Sequence, residues 1–120
     1  GEIILDHYRN PHHYGRLEQA TLSAKEVNPL CGDSIQLDLL IGDDRTIQNI
    51  AFTAQGCAIS QAGASMLCDA LIGKSLKFAA QLSHEDINEM IGVPLSPARV
   101  KCALLSLFAL KKAITLQYIA

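Results

Sequence analysis

Four cysteines, Cys31, Cys57, Cys68 and Cys102, stand 26, 11 and 34 residues apart in a chain of 120 residues. The first belongs to Asn28-Pro29-Leu30-Cys31-Gly32-Asp33, where a thiol and a carboxylate flank a glycine. Gly32 permits a turn that brings both side chains toward one point, and Pro29 stiffens the entry. The second belongs to Gly56-Cys57-Ala58-Ile59-Ser60, where a strand pattern gives way to a helical one. A thiol at a helix N-terminus is favoured as thiolate, the form that binds metal or attacks a sulfur donor. The third follows Arg99-Val100-Lys101, two cations suited to stabilising a thiolate at Cys102 or holding an anionic sulfur species. Each string also has a plain reading: a surface turn, a small buried cysteine in a joint, a core cysteine beside solvated cations.

Cys68 is different. It lies 11 residues beyond Cys57 in one helical pattern, roughly 16 Å along a helix axis. Metal–thiolate bonds are about 2.3 Å long, so the two cannot share one ion. Its neighbours Met66-Leu67 and Ala70-Leu71 make it a core residue. What remains is Cys31, Asp33, Cys57 and Cys102: three soft ligands and one hard one. That set suits zinc or an iron–sulfur cluster better than calcium or magnesium. A carboxylate in place of a fourth thiolate leaves the site exchangeable, sensible for something assembled and handed on. His12 and His13 follow Asn10-Pro11 in a turn and read as exposed loop residues; His7 and His84 read as surface or satisfied core residues.

Other chemistries lack support. There is no Cys-x-x-Cys pair, zinc-finger spacing, Gly-x-Gly-x-x-Gly string or phosphate loop. A cysteine–histidine hydrolase leaves three cysteines at element ends unexplained. Net charge −2, 5% aromatic residues and no tryptophan give no footprint for nucleic acid. The longest apolar stretch, Cys102–Leu110, is bounded by Lys101 and Lys111 and is too short for a membrane. No signal-peptide pattern is visible, and reduced thiols in the cytoplasm are expected. The helical pattern under way at Glu2 suggests natural residues before Gly1.

These residues need elements to position them. Residues 2–9 read as a helix ended by Asn10-Pro11. Residues 20–27 are a weak strand. Ile35, Leu37, Leu39 and Ile41 alternate with Gln36, Asp38 and Leu40 as a half-buried strand, and Gly42–Arg45 turn into a second one, Ile47–Ala54. Residues 58–72 form a helix closed by Gly73, Leu76–Leu82 a short one, and Ser83 with Asp86 caps a third ended by Gly92-Val93-Pro94. Ser96 and Pro97 open the last helix, whose stripe of Val100, Ala103, Leu104, Leu107, Leu110 and Ile114 is widened by Leu105, Phe108 and Leu116. This order predicts an α+β single domain over residues 1–120 with an antiparallel sheet.

Taken in order, Asp6-His7-Tyr8-Arg9-Asn10-Pro11 with Gly15, Asn28–Asp33, Gly56–Ser60 and Ala98–Cys102 resemble the IscU/SufU/NifU N-terminal family of iron–sulfur cluster assembly proteins. The resemblance covers nearly the whole chain. It implies a three-stranded antiparallel sheet covered by helices, with Cys31, Cys57 and Cys102 matching the family cysteines and Asp33 the site aspartate. It implies a scaffold without turnover of its own. Sulfur would come from a cysteine desulfurase, a transient 2Fe-2S cluster would form, and acceptor apoproteins would receive it. A second branch implies a zinc ion in the same ligands and sulfurtransferase activity, with Cys57 and Cys102 the candidate persulfide acceptors. Lys101 matches SufU-like members, where IscU-like members carry His; the short interval from Cys57 to Cys102 matches IscU-like ones. Leu95-Ser96-Pro97-Ala98-Arg99 stands where IscU-like members carry the chaperone motif Leu-Pro-Pro-Val-Lys, so recognition by the dedicated Hsp70 chaperone does not carry over.

Overall fold

A computed structural model of the chain describes residues 2–29 and 32–119, with side chains as far as Leu116. After helix α1 (Glu2–Arg9) come three strands, β1 (Leu22–Asn28), β2 (Asp33–Ile41) and β3 (Ile47–Gln55). Four helices follow: α2 (Ala58–Leu71), α3 (Leu76–Ala80), α4 (His84–Ile91) and α5 (Pro97–Ile119). The strands form one antiparallel sheet in the order β1-β2-β3. This is the α+β architecture expected, with the sheet completed by the weak first strand.

Period-2 alternation places Ile35, Leu37 and Leu39 of β2 on one face, beside Ile50 and Phe52 of β3, all within 1% of full burial. Burying a side chain of this size stabilises by roughly 1.5–3 kcal/mol. The cover is α5 across β1 and β2, and α2 across β3. Small residues on α2 allow close packing: Ala62 and Ala64 are buried, and Gly63 faces the backbone of Ala103 on α5. Helix boundaries follow their caps. Ser75 accepts from the Phe78 N–H at 3.0 Å, Ser83 and Asp86 form a capping box, and Gly92 ends α4 at φ 75°.

One expectation needs correction. Asp38 belongs to the polar side of a half-buried strand by alternation, yet it is 0% exposed. The segment after Pro11 closes over that side of the sheet. Arg16 Nε donates to Asp38 at 2.6 Å, the Leu17 N–H at 3.1 Å and Ser23 Oγ at 2.7 Å. The wide α5 stripe, consistent from sequence with either deep burial or a contact surface, divides: Leu105 is buried, while Phe108 and Leu116 are 40% and 44% exposed.

The register decides what meets at one end of the sheet. Asn28 pairs with Asp33 across the β1–β2 turn, and Ser34 pairs with Gln55, the last residue of β3. Gly56 and Cys57 therefore emerge beside Asp33, at the entry to α2.

Candidate metal centre

Asp33 opens β2, Cys57 is the N-cap of α2 and Cys102 lies in the second turn of α5. One ligand atom from each lies within 4.8 Å of the other two. Asp33 and Cys102 are each 3% exposed and Cys57 is half-buried. Leu30 and Cys31 lie outside the described residues. The structure thus brings together three of the four residues singled out from the sequence. It also separates Cys68, fully buried on α2 at the helix face turned to the core. Burial, and the charge of Asp69 next to it, push the Cys68 thiol well above the ordinary thiol range.

Asp33 is a buried anion held by several donors. Ser60 Oγ donates to Oδ2 at 2.5 Å, Cys57 Sγ donates to the same oxygen at 3.2 Å, and the Cys57 N–H donates to Oδ1 at 3.2 Å. The Cys102 thiol adds a further hydrogen bond. Burial alone would push the Asp33 carboxyl up, but these donors outweigh it and hold the group below the usual carboxylate range. A divalent ion held by these groups would displace the thiol protons. Loading a metal replaces protons between sulfur and oxygen with a divalent charge, so binding releases protons.

Ser60 and Gly56 are residues whose roles the sequence did not reveal. Gly56 sits at φ 131°, and a Cβ there would fall 2.1 Å from Asp33 Oδ1. The carboxylate occupies the space that a side chain would need, so glycine is required on both counts. The two cations Arg99 and Lys101 are exposed. Lys101 lines a shallow apolar groove with Val27, Pro29 and Phe108.

The histidines are more engaged than isolated loop residues. His12 and His13 both reach Asp69 on α2, and His7 reaches Ser65. His84, by contrast, lies on the surface with its ring edge-on to Phe108.

The family described as NifU-like N-terminal domain matches residues 1–119. The chain is 37% identical to the iron–sulfur cluster assembly scaffold protein IscU of Streptococcus pyogenes serotype M1, over 93% of this chain and 80% of that protein. It is 35% identical to the zinc-dependent sulfurtransferase SufU of Bacillus subtilis, over 94% and 87%. A crystal structure titled as a putative iron–sulfur cluster assembly scaffold protein for the SUF system, from Fervidobacterium islandicum, superposes with a TM-score of 0.82 at 28% identity, covering 95% of each chain. On the family match and these identities, the chain belongs to the NifU-like N-terminal domain family, together with the IscU and SufU proteins.

Proposed function

We propose that this protein, as a single domain over residues 1–120, is a scaffold on which an iron–sulfur cluster is assembled. Cys31, Asp33, Cys57 and Cys102 are the ligands of that cargo in this reading. The observation that carries it is the convergence of Asp33, Cys57 and Cys102 from three elements onto one point. Soft thiolates hold cluster iron well, and a carboxylate holds it less well. One weaker ligand gives the cargo a place to begin leaving. A cysteine desulfurase supplies persulfide sulfur, an external electron donor reduces each transferred sulfur by two electrons to sulfide, two iron ions join two sulfides as a 2Fe-2S cluster, and acceptor apoproteins take the product. The protein itself turns over no substrate. In this reading the thiols stay reduced and the protein works in the cytoplasm; among the described residues no helix is long and apolar enough to cross a membrane. Anaerobic reconstitution with iron, cysteine, a thiol reductant and an active desulfurase is expected to give visible cluster absorbance. No absorbance, with the desulfurase turning over, would defeat the reading.

A second reading is favoured by Lys101 and by the identity to the Bacillus sulfurtransferase. Here the same four residues hold zinc; three thiolates and one carboxylate are ligand types that zinc takes in tetrahedral sites. Bound zinc would keep the thiols deprotonated. Cys57 or Cys102, once released, attacks the outer sulfur of the desulfurase persulfide, and the desulfurase thiolate leaves. Metal analysis of protein isolated without air, together with desulfurase turnover in its presence and absence, separates the two. Strong activation that needs zinc, with no cluster formed, selects the second.

A further inference from the structure

We propose that His7, His12 and Asp69 form a second metal site that takes a divalent first-row ion of Fe2+ or Zn2+ character. His7 comes from α1, His12 from the turn after Pro11 and Asp69 from α2. One ligand atom from each lies within 4.8 Å of the other two. The site is distinct from the sulfur centre. Asp69 stands twelve residues beyond Cys57 along α2, roughly 18 Å along the axis, too far for a shared ion.

The residues around these three orient them. Ser65 is fully buried; its hydroxyl lies 2.7 Å from His7 Nδ1 and accepts the His12 backbone N–H at 2.8 Å. One buried oxygen thus fixes both the His7 ring and the backbone that carries His12. Asp69 is shared in the same way: Oδ2 lies 2.6 Å from His12 Nδ1, and Oδ1 lies 3.1 Å from His13 Nε2. His13 holds one carboxylate oxygen and leaves the other facing His12. Hydrogen bonds of this kind, from outside the ligand set, fix ligand rings and carboxylates in metal sites. His13 itself sits at φ 63°, unusual for a residue with a side chain. Its carbonyl accepts from the Phe52 N–H at 3.0 Å and the Gly15 N–H donates to the Phe52 carbonyl at 2.7 Å, so β3 holds the turn in place.

Two imidazoles and one carboxylate form an N2O donor set. It lacks the sulfur that cluster iron favours, and its imidazoles disfavour calcium and magnesium; it matches the two-histidine, one-carboxylate set used for Fe2+ with open positions. Bonds of about 2.1 Å to one ion place ligand atoms about 3–4 Å apart. The His12 and Asp69 side chains are 47% and 41% exposed, so both can close that distance by rotation. Their exposure also leaves room for water on the ion and makes the site exchangeable. Nothing in this depends on whether the sulfur centre holds a cluster or zinc.

Anaerobic titration with Co2+ tests it, because thiolate–cobalt charge-transfer bands report the sulfur centre and leave an N2O site silent. Wild type is expected to take up two equivalents at micromolar ion, only one of which raises the charge-transfer band. Asp69→Asn and His12→Gln, both at partly exposed positions, are each expected to fall to one equivalent with that band unchanged. Titration with Fe2+ and with Zn2+ is expected to show the same loss. Uptake by wild type of a single equivalent that carries the charge-transfer band, or a band-silent equivalent that survives either substitution, overturns the proposal; a single band-silent equivalent lost in both variants supports it and counts against the sulfur centre instead.

Discussion

In the proposed scaffold Asp33 is one side chain asked to do two opposed things: to be held firmly before loading and to let go afterwards. The donors from Ser60, Cys57 and Cys102 accomplish the first. Those same thiols lose their protons on loading, which leaves the carboxylate as the weakest ligand of the set. Asp33→Ala is therefore expected to retain metal, since three thiolates remain and water fills the fourth position, but to hand on a cluster several-fold more slowly. Cys57→Ser and Cys102→Ser are expected to lose most of the metal, because each removes a soft ligand. Cys68→Ala keeps its metal and loses only about 1 kcal/mol of stability. Metal content and the rate of transfer to an acceptor apoprotein check all four; transfer by Asp33→Ala at the wild-type rate would remove the labile role. Gly56 tests the geometry from the other side. Gly56→Ala puts a methyl group into the space of Asp33 Oδ1 and a side chain at φ 131°. We expect about 1–3 kcal/mol of destabilisation from the backbone alone, together with reduced metal content, read by urea unfolding and metal analysis.

At the scale of elements, α5 spans the sheet and carries its own anomaly. Ser106 is 1% exposed, and its hydroxyl meets no partner among the described residues. Ser106→Ala removes a desolvated polar group and is expected to stabilise by about 1 kcal/mol, seen as a higher urea midpoint with the metal site unchanged. Such orphan groups are invisible in sequence, and the reason generalises. Alternation in Ile35–Ile41 and the three-to-four residue spacing from Val100 to Ile114 report which face is apolar, so the strands, helices and class could be read directly. They do not report what covers the other face. Asp38 was legible as the polar side of a strand and not as a buried ion pair, because its partners Arg16 and Leu17 arrive from a segment with no period at all. The site divides in the same way. Asp33, Cys57 and Cys102 were legible because thiols and a carboxylate at element ends are chemically conspicuous. Ser60 and Gly56 were not, because their roles follow from the register that sets Ser34 against Gln55. Asp69 escaped because it becomes interesting only once the turn after Pro11 folds down onto α2.

For the molecule as a whole, Asp38 ties the irregular 10–20 segment to the outer side of the sheet, and that tie is charged. Arg16 is 59% exposed at its side chain while Asp38 is 1% exposed, so the burial cost falls on the carboxylate. Burial would raise its pKa, but the hydrogen bonds from Arg16, Ser23 and the Leu17 N–H, with the charge of Arg16, hold it below the ordinary value. In the unfolded chain an aspartate titrates near about 3.9. A carboxylate whose folded value lies lower stabilises the fold at every pH above the unfolded value, and that contribution disappears as pH falls through the folded one. Asp33 shifts in the same direction, so the metal-free protein is expected to show constant stability from neutral pH to about pH 5 and a steep loss below about pH 4. Asp38→Asn separates the two groups. Leu17 and Ser23 donate to different oxygens of Asp38, so the single amide oxygen of Asn keeps only one of those two bonds, and the ion pair is gone; at neutral pH the change should cost about 1.5–3 kcal/mol, the range for a hydrogen bond to a charged group. As pH falls below the unfolded value wild type begins to lose the same interaction, and the gap between the two proteins should narrow. Urea unfolding of both at pH 7 and pH 3, with a chelator present to keep Asp33 free of metal, measures this directly. A stability gap between wild type and Asp38→Asn that stays constant across that range would show that the buried carboxylate contributes by shape and neutral hydrogen bonding, and that its charge does not secure the segment to the sheet.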